Sequence, residues 1–164
     1  MRKGIFLVAA SVLVVVVAGF LPVHVLEGTV AGTEERIFVE KVRSGDTFSL
    51  SFMHSVEKSI VRDHFRIDDT YRIILYETAF SSLNAGLPTA TAPGETLIRE
   101  EGTFRIMGMN RVLPGISLWV DEEYKNRLEI GERVIVLPVL SGCSLLHVSI
   151  RKAYAWEYLL AGVR

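Results

Sequence analysis

Cysteine is nearly absent from this chain: Cys143 is the single one among 164 residues, so no disulfide can form within the chain. Its position, far from the apolar segment at the front, excludes lipid attachment beside that segment, and it reads as a small buried strand residue. There is no run of basic residues, no phosphate-cradling glycine loop, no paired cysteine motif and no His-Glu-x-x-His helix. Met107-Gly108-Met109 holds only a lone glycine and reads as strand packing. Charge of one sign is also scarce. Apart from Arg2 and Lys3, 16 basic residues stand against 19 acidic ones, a balance that offers no electrostatic footprint for nucleic acid. No internal repeat and no low-complexity segment occurs, and no cofactor is expected.

What the sequence has in excess is apolar residues at its start. After Arg2 and Lys3, Gly4 to Leu26 carries no Asp, Glu, Lys or Arg and is interrupted only by Pro22 and His24. As a helix rising about 1.5 Å per residue, such a run spans roughly the 30 Å of a bilayer's hydrocarbon core. A cleaved signal peptide is built from similar parts, but the only candidate cleavage triplet, Thr29-Val30-Ala31, lies well beyond the end of the run. An uncleaved single-pass anchor is therefore expected, with secretion as the outcome if cleavage does occur. Basic residues before the run and Glu27, Glu34 and Glu35 after it place the amino terminus in the cytoplasm and the rest of the chain outside. The expected organisation is an anchor or signal over 1–26, a linker over 27–35, an extracytoplasmic β domain over 36–152 and a carboxyl-terminal extension over 153–164.

Beyond the linker the dominant pattern is alternation. Phe48, Leu50 and Phe52 share one face of a strand, and Val61, Phe65 and Ile67 alternate with Arg62, His64 and Arg66, so the two runs read as a hairpin. Tyr71 to Phe80 follows the turn Asp68-Asp69-Thr70 as a third strand. Shorter runs over Ile37–Val42, Thr103–Met109, Ile116–Val120, Val134–Leu140 and Leu145–Ile150 are separated by glycine-bearing turns. Many short antiparallel strands at this spacing predict an all-β domain, an antiparallel sandwich or small barrel, after an N-terminal transmembrane helix. At the carboxyl end Tyr154, Trp156 and Tyr158 alternate among helix-favouring residues, which fits a last strand or a short helix. Such aromatics serve either ordinary packing or a membrane interface.

The polar residues of the first hairpin are the candidate site. His54 is in phase with Phe48, Leu50 and Phe52, and Asp63 with Val61, Phe65 and Ile67, so both project toward the apolar side as neighbours near the turn. Glu77 joins them if the next hairpin keeps its phase, and a one-residue slip puts it on the other face. A metal needs three or four converging ligands, and only His54 with Asp63, Glu77 or Glu57 is available, so no metal site is assigned. Ser55 is expected to point away from His54 along a strand, which weighs against a nucleophilic serine. His64 shares the face of Ser55 but has no orienting acid. The cluster His54, Ser55, Glu57, Asp63 and Glu77 reads first as hydrogen-bonded groups fixing the hairpin tip. Its second reading is a ligand-binding site shared with the uncharged loop Ser81 to Gly94, through Asn84, Gly86, Leu87 and Pro88.

The residues Phe48 to Lys58 (FSLSFMHSVEK), Val61 and Asp63 before Phe65, Glu77-Thr78 before Phe80, and Asn84-Ala85-Gly86-Leu87-Pro88 carry a resemblance. So does Asn126-Arg127-Leu128 with Ile130-Gly131, more faintly. The chain resembles the bacterial and archaeal family called domain of unknown function eighteen-fifty, from about Phe38 to Ile150. It departs from the family pattern in having Asp63 where Glu is expected and Leu83-Asn84 where an aromatic and a glycine are usual. The resemblance implies no settled activity. It implies a membrane-anchored accessory of a TRAP-type solute uptake system of the TAXI subgroup, and no enzyme is expected because the residues offer no convincing catalytic set. Such an accessory would contact the membrane subunits or the solute-binding protein. A small-ligand or metal-binding module using the hairpin cluster is the alternative.

Overall fold

The computed structural model describes residues 16–33, 35–81, 91–100 and 102–161. Val16–Gly19 is helical, and among the described residues no helix is long and apolar enough to cross a membrane. Residues 1–15, most of the expected anchor, lie outside the described residues. The chain then enters strands β1 (Pro22–Val30), β2 (Arg36–Val42), β3 (Thr47–Met53), β4 (Ile60–Ile67), β5 (Ile73–Phe80) and β6 (Thr96–Glu100). There follow β7 (Thr103–Leu113), β8 (Ile116–Val120), β9 (Arg127–Ile130), β10 (Arg133–Val136), helix α1 (Leu137–Ser141), β11 (Ser144–Tyr154) and helix α2 (Ala155–Ala161).

The strands form two antiparallel sheets, one of four strands in the order β2-β1-β11-β8 and one of seven in the order β10-β9-β3-β4-β5-β7-β6. They pack face to face as a sandwich. Leu26, Phe38, Leu146 and Val148 of the smaller sheet meet Phe48, Leu50, Phe65 and Leu128 of the larger in one buried core. A second, smaller cluster of Val61, Phe80, Ile106 and Met109 supports β4, β5 and β7 of the larger sheet.

Two expected boundaries move. The apolar run does not end as a helix at Leu26, because β1 begins at Pro22, where a strand tolerates proline at its first residue. The first four residues of the expected linker, Glu27 to Val30, are strand as well: β1 lies between β2 and β11, and Val25, Leu26, Glu27 and Gly28 are all buried within it. Gly28 is there for space, since a Cβ at that position would stand 2.3 Å from the ring of Phe38, and the pairing with β2 shifts register at the same point. At the other end β11 runs on to Tyr154 before α2 begins, so both readings of the carboxyl end hold in succession. Cys143 is exposed in the bend before β11, contrary to the expected buried strand position. Its thiol is held above the usual range by hydrogen bonding to Asp121.

Along β11 the smaller sheet has two distinct ends. Pro22 pairs with Tyr154 at one, while Trp119 of β8 pairs with Leu145 at the other. At about 3.4 Å per residue, these ends are roughly 30 Å apart.

Candidate functional site

The tip of the β3–β4 hairpin is built by the segment His54-Ser55-Val56-Glu57-Lys58. Strand pairing stops at Met53, and the tip closes through His54 N–H to the Ser59 carbonyl at 2.8 Å and Lys58 N–H to the His54 carbonyl at 2.9 Å. Lys58 takes the left-handed backbone conformation that this reversal needs (φ 49°). The His54 side chain turns back into the turn, where Nδ1 accepts the Glu57 amide hydrogen at 3.3 Å. That bond leaves Nε2 to carry the ring proton and to act as a donor. Glu57 therefore serves the tip through its backbone.

A second polar turn, Asp121 to Asn126, closes against this tip. Met53 donates its amide to the Tyr124 carbonyl at 2.6 Å, and Lys58 pairs with Glu123 at 2.7 Å. Asn126, only 2% exposed, holds the turn from within. Its Oδ1 accepts the Asp121 amide at 3.2 Å, its Nδ2 donates to the Trp119 carbonyl at 3.2 Å, and its own carbonyl accepts the Leu137 amide at 3.1 Å. One residue thus ties β8, the turn and α1 together.

Between the tip, the turn and β8 lies a cleft of about 420 Å³. Leu50, Phe52, Met53, Ile116 and Leu118 give it apolar walls, and His54, Ser55, Asp63, Tyr124 and Asn126 supply the polar groups. Asp63 is paired across the strands with Leu50 and shares its inward face. Burial pushes its carboxyl above the ordinary aspartate range, only partly offset by the hydrogen bond that Thr78 Oγ1 donates to Oδ1 at 2.8 Å and by the nearby His64. An apolar cleft with a few convergent polar groups and a desolvated carboxyl is the usual form of a small-molecule site.

The cleft brings together three of the five candidate residues of the hairpin cluster: His54, Ser55 and Asp63. Ser55 lines the same cleft as His54 because the strand has ended, so alternation no longer separates them. Glu77 goes elsewhere. His64 pairs with Glu77 while Phe65 pairs with Leu75, so Tyr76 is an extra residue that turns Glu77 to the outer face of the larger sheet. There it accepts Nε and Nη2 of Arg105 on one carboxylate oxygen, each at 2.7 Å. Arg62, His64, Glu77 and Arg105 line a separate outer hollow of about 390 Å³. The loop candidates Asn84, Gly86, Leu87 and Pro88 lie outside the described residues. Among the described residues, no three His, Cys, Asp or Glu side chains come together as a metal site.

Trp119 and Tyr124 belong to the site without having stood out in the sequence, and Asn126 stood out only as part of the resemblance, not as a site residue. The available signal is the polar, turn-forming run Asp121 to Asn126 between two apolar strands, which marks a turn but not what it covers. Trp119, which lines the cleft, is exposed beside Leu145 across their strands, and Val139 and Leu140 of α1 are exposed as well, Val139 to 79%.

Fold and site together define an antiparallel β-sandwich with an apolar-walled cleft and no assembled nucleophile, base and orienting acid among the described residues. The family model described as Domain of unknown function (DUF1850) matches residues 48–137, more than half of the chain, and the chain belongs to that family. Every residue that lines the cleft lies within the matched stretch. No curated protein and no solved structure matches the chain.

Proposed function

We propose that this chain is a membrane-anchored extracytoplasmic accessory of a TRAP-type (TAXI subgroup) solute uptake system, acting by protein–protein contact. The observation that carries the contact is the set of exposed apolar side chains at this end of the fold, Trp119 beside Leu145 on the smaller sheet and Val139 and Leu140 on α1. Exposed apolar residues gathered in this way mark interaction surfaces more often than single ones do. The surface lies at the end of β11 remote from Pro22 and Tyr154, hence roughly 30 Å from where an apolar anchor would leave the bilayer. That position favours the soluble solute-binding protein over the membrane subunits as the partner. Crosslinking in native membranes is expected to capture the solute-binding protein. Failure with several crosslinkers, together with unimpaired uptake in a deletion strain, would sink this reading.

A second reading is favoured by the desolvated Asp63, which lines the apolar cleft together with His54 of the same hairpin. These groups suit a small apolar molecule with a polar head. Calorimetry of the full chain in detergent with short-chain carboxylates and amines should show saturable binding that His54→Ala removes. A flat titration across both series would count against a ligand of this class.

A further inference from the structure

Helix α2 has its polarity inverted with respect to water. Leu159 and Leu160, 64% and 67% exposed, face outward with Trp156, whereas the side chain of Glu157 is 20% exposed and faces the domain. Glu157 accepts the Tyr154 amide at 3.0 Å, which caps the helix start, and also takes Nη1 of Arg151 at 3.2 Å. Arg151 in turn reaches the buried Glu27 at 2.8 Å. A helix that ties its only carboxylate into the protein and turns its leucines out gains nothing from facing water.

The chain entering β1 lies directly against this helix. Ala155 donates its amide to the Leu21 carbonyl at 3.0 Å, Phe20 meets Tyr154 edge to face at 6.0 Å, and a Cβ on Gly19 would stand 3.6 Å from that of Trp156. Val16, Val17, Phe20 and Leu21 are each about half exposed or more, so the outward leucines of α2 and the entering segment form one apolar surface. The sequence that leads into it, Gly4 to Val15, is uncharged and, apart from Ser11, apolar. Counted from Gly4 to Leu21 as a helix, it would measure about 27 Å, close to a bilayer's hydrocarbon thickness.

We propose that α2 and Tyr154 rest in the interfacial layer of the same bilayer that the amino-terminal segment enters, a second attachment that fixes how the sandwich stands on the membrane. This rests on the anchor reading above. Trp and Tyr are the residues that favour the headgroup level, and Trp156 and Tyr154 stand where that level would be. On the domain side of α2, Glu27 pairs with both Arg151 and Arg36, so the charges there are engaged with one another.

The chain's two tryptophans provide the test, because Trp119 lies at the far end of the smaller sheet. The full chain is reconstituted into phosphatidylcholine–phosphatidylglycerol vesicles with or without brominated acyl chains, as Trp119→Phe and as Trp156→Phe. Flotation establishes that the protein is membrane-bound. The expected result is that brominated lipid lowers Trp156 emission roughly twofold or more while leaving Trp119 emission unchanged, as an interfacial position requires. Vesicle-bound protein whose Trp156 is unquenched, or quenched no more than Trp119, would overturn the seating and leave the anchor standing. Failure to float would overturn the anchor reading and the seating with it.

Discussion

Asp63 and Glu77 stand on opposite faces of the larger sheet, Asp63 across from Thr78 toward the cleft and Glu77 across from His64 toward the outside. Tyr76 is the extra residue that separates them, and it gives the two carboxylates opposite circumstances. Glu77 is paired with Arg105, whereas Asp63 faces an apolar cleft and is held above its ordinary range chiefly by burial.

Replacing Asp63 with Asn keeps the shape and an acceptor for the Thr78 hydroxyl while removing the desolvated charge. A carboxyl whose folded pKa is raised favours the folded state at low pH, and that advantage is lost as pH rises from the unfolded value of about 3.9 through the folded one. Asp63→Asn is therefore expected to unfold at a higher temperature than the parent at about pH 7, with the gap closing in acid. Thermal unfolding at neutral and acid pH measures it. A variant less stable than the parent at neutral pH would show that the charge is satisfied after all.

His64 works in the other direction. Burial holds its imidazole below the ordinary range, with Glu77 pulling it up and Arg62 and Arg105 pushing it further down. The unfolded chain takes up a proton at about pH 6.5 that the folded chain resists, so this contribution is fully present above that pH and is lost as pH falls through it. His64→Gln should flatten the decline in stability between about pH 7.5 and 5.5. An unchanged slope in denaturant titrations would contradict the assignment.

Asn126 holds the wall of the cleft. Asn126→Ala leaves the Asp121 amide and the Trp119 carbonyl without their side-chain partner, at an expected loss of about 2–4 kcal/mol. Denaturant unfolding gives the magnitude, and a loss under about 0.5 kcal/mol would place the variant among ordinary surface changes.

Gly28 leaves room for the ring of Phe38, with which an added Cβ would collide. Gly28→Ala should destabilise by about 1–3 kcal/mol, the usual range for overpacking. Adding Phe38→Leu should recover part of that loss, because neighbouring sites couple. Two losses that simply add would show that the ring is not the obstacle.

Much of this fold is legible in the sequence because β3, β4 and β8 alternate cleanly, and the pairing of Phe48 with Phe65 follows from matching their apolar faces. The sheet-forming role of β1 is hidden for a physical reason. A central strand buried on both faces does not alternate, and Val23 to Leu26 merges with the apolar run before it. Leu137 to Ser141 reads as the end of a valine-rich strand, yet it turns into α1 where Leu137 and Pro138 are buried. The site is half legible. Phase alone places His54 and Asp63 on one side, but a bulge such as Tyr76 leaves no mark in composition, and the end of pairing at Met53 decides where Ser55 points. Trp119, Tyr124 and Asn126 reach the cleft only through the tertiary meeting of two turns.

The contact with the uptake system is the central claim, and the apolar surface at α1 is where it is tested. A photo-crosslinking residue is placed at Val139, and for comparison at Val112, which is exposed on β7 in the larger sheet. Both are activated in intact cells carrying the transporter. The account predicts that Val139 yields a crosslink to the solute-binding protein and Val112 does not. Equal capture from the two positions, or none from Val139 while the protein is present and folded, would contradict it.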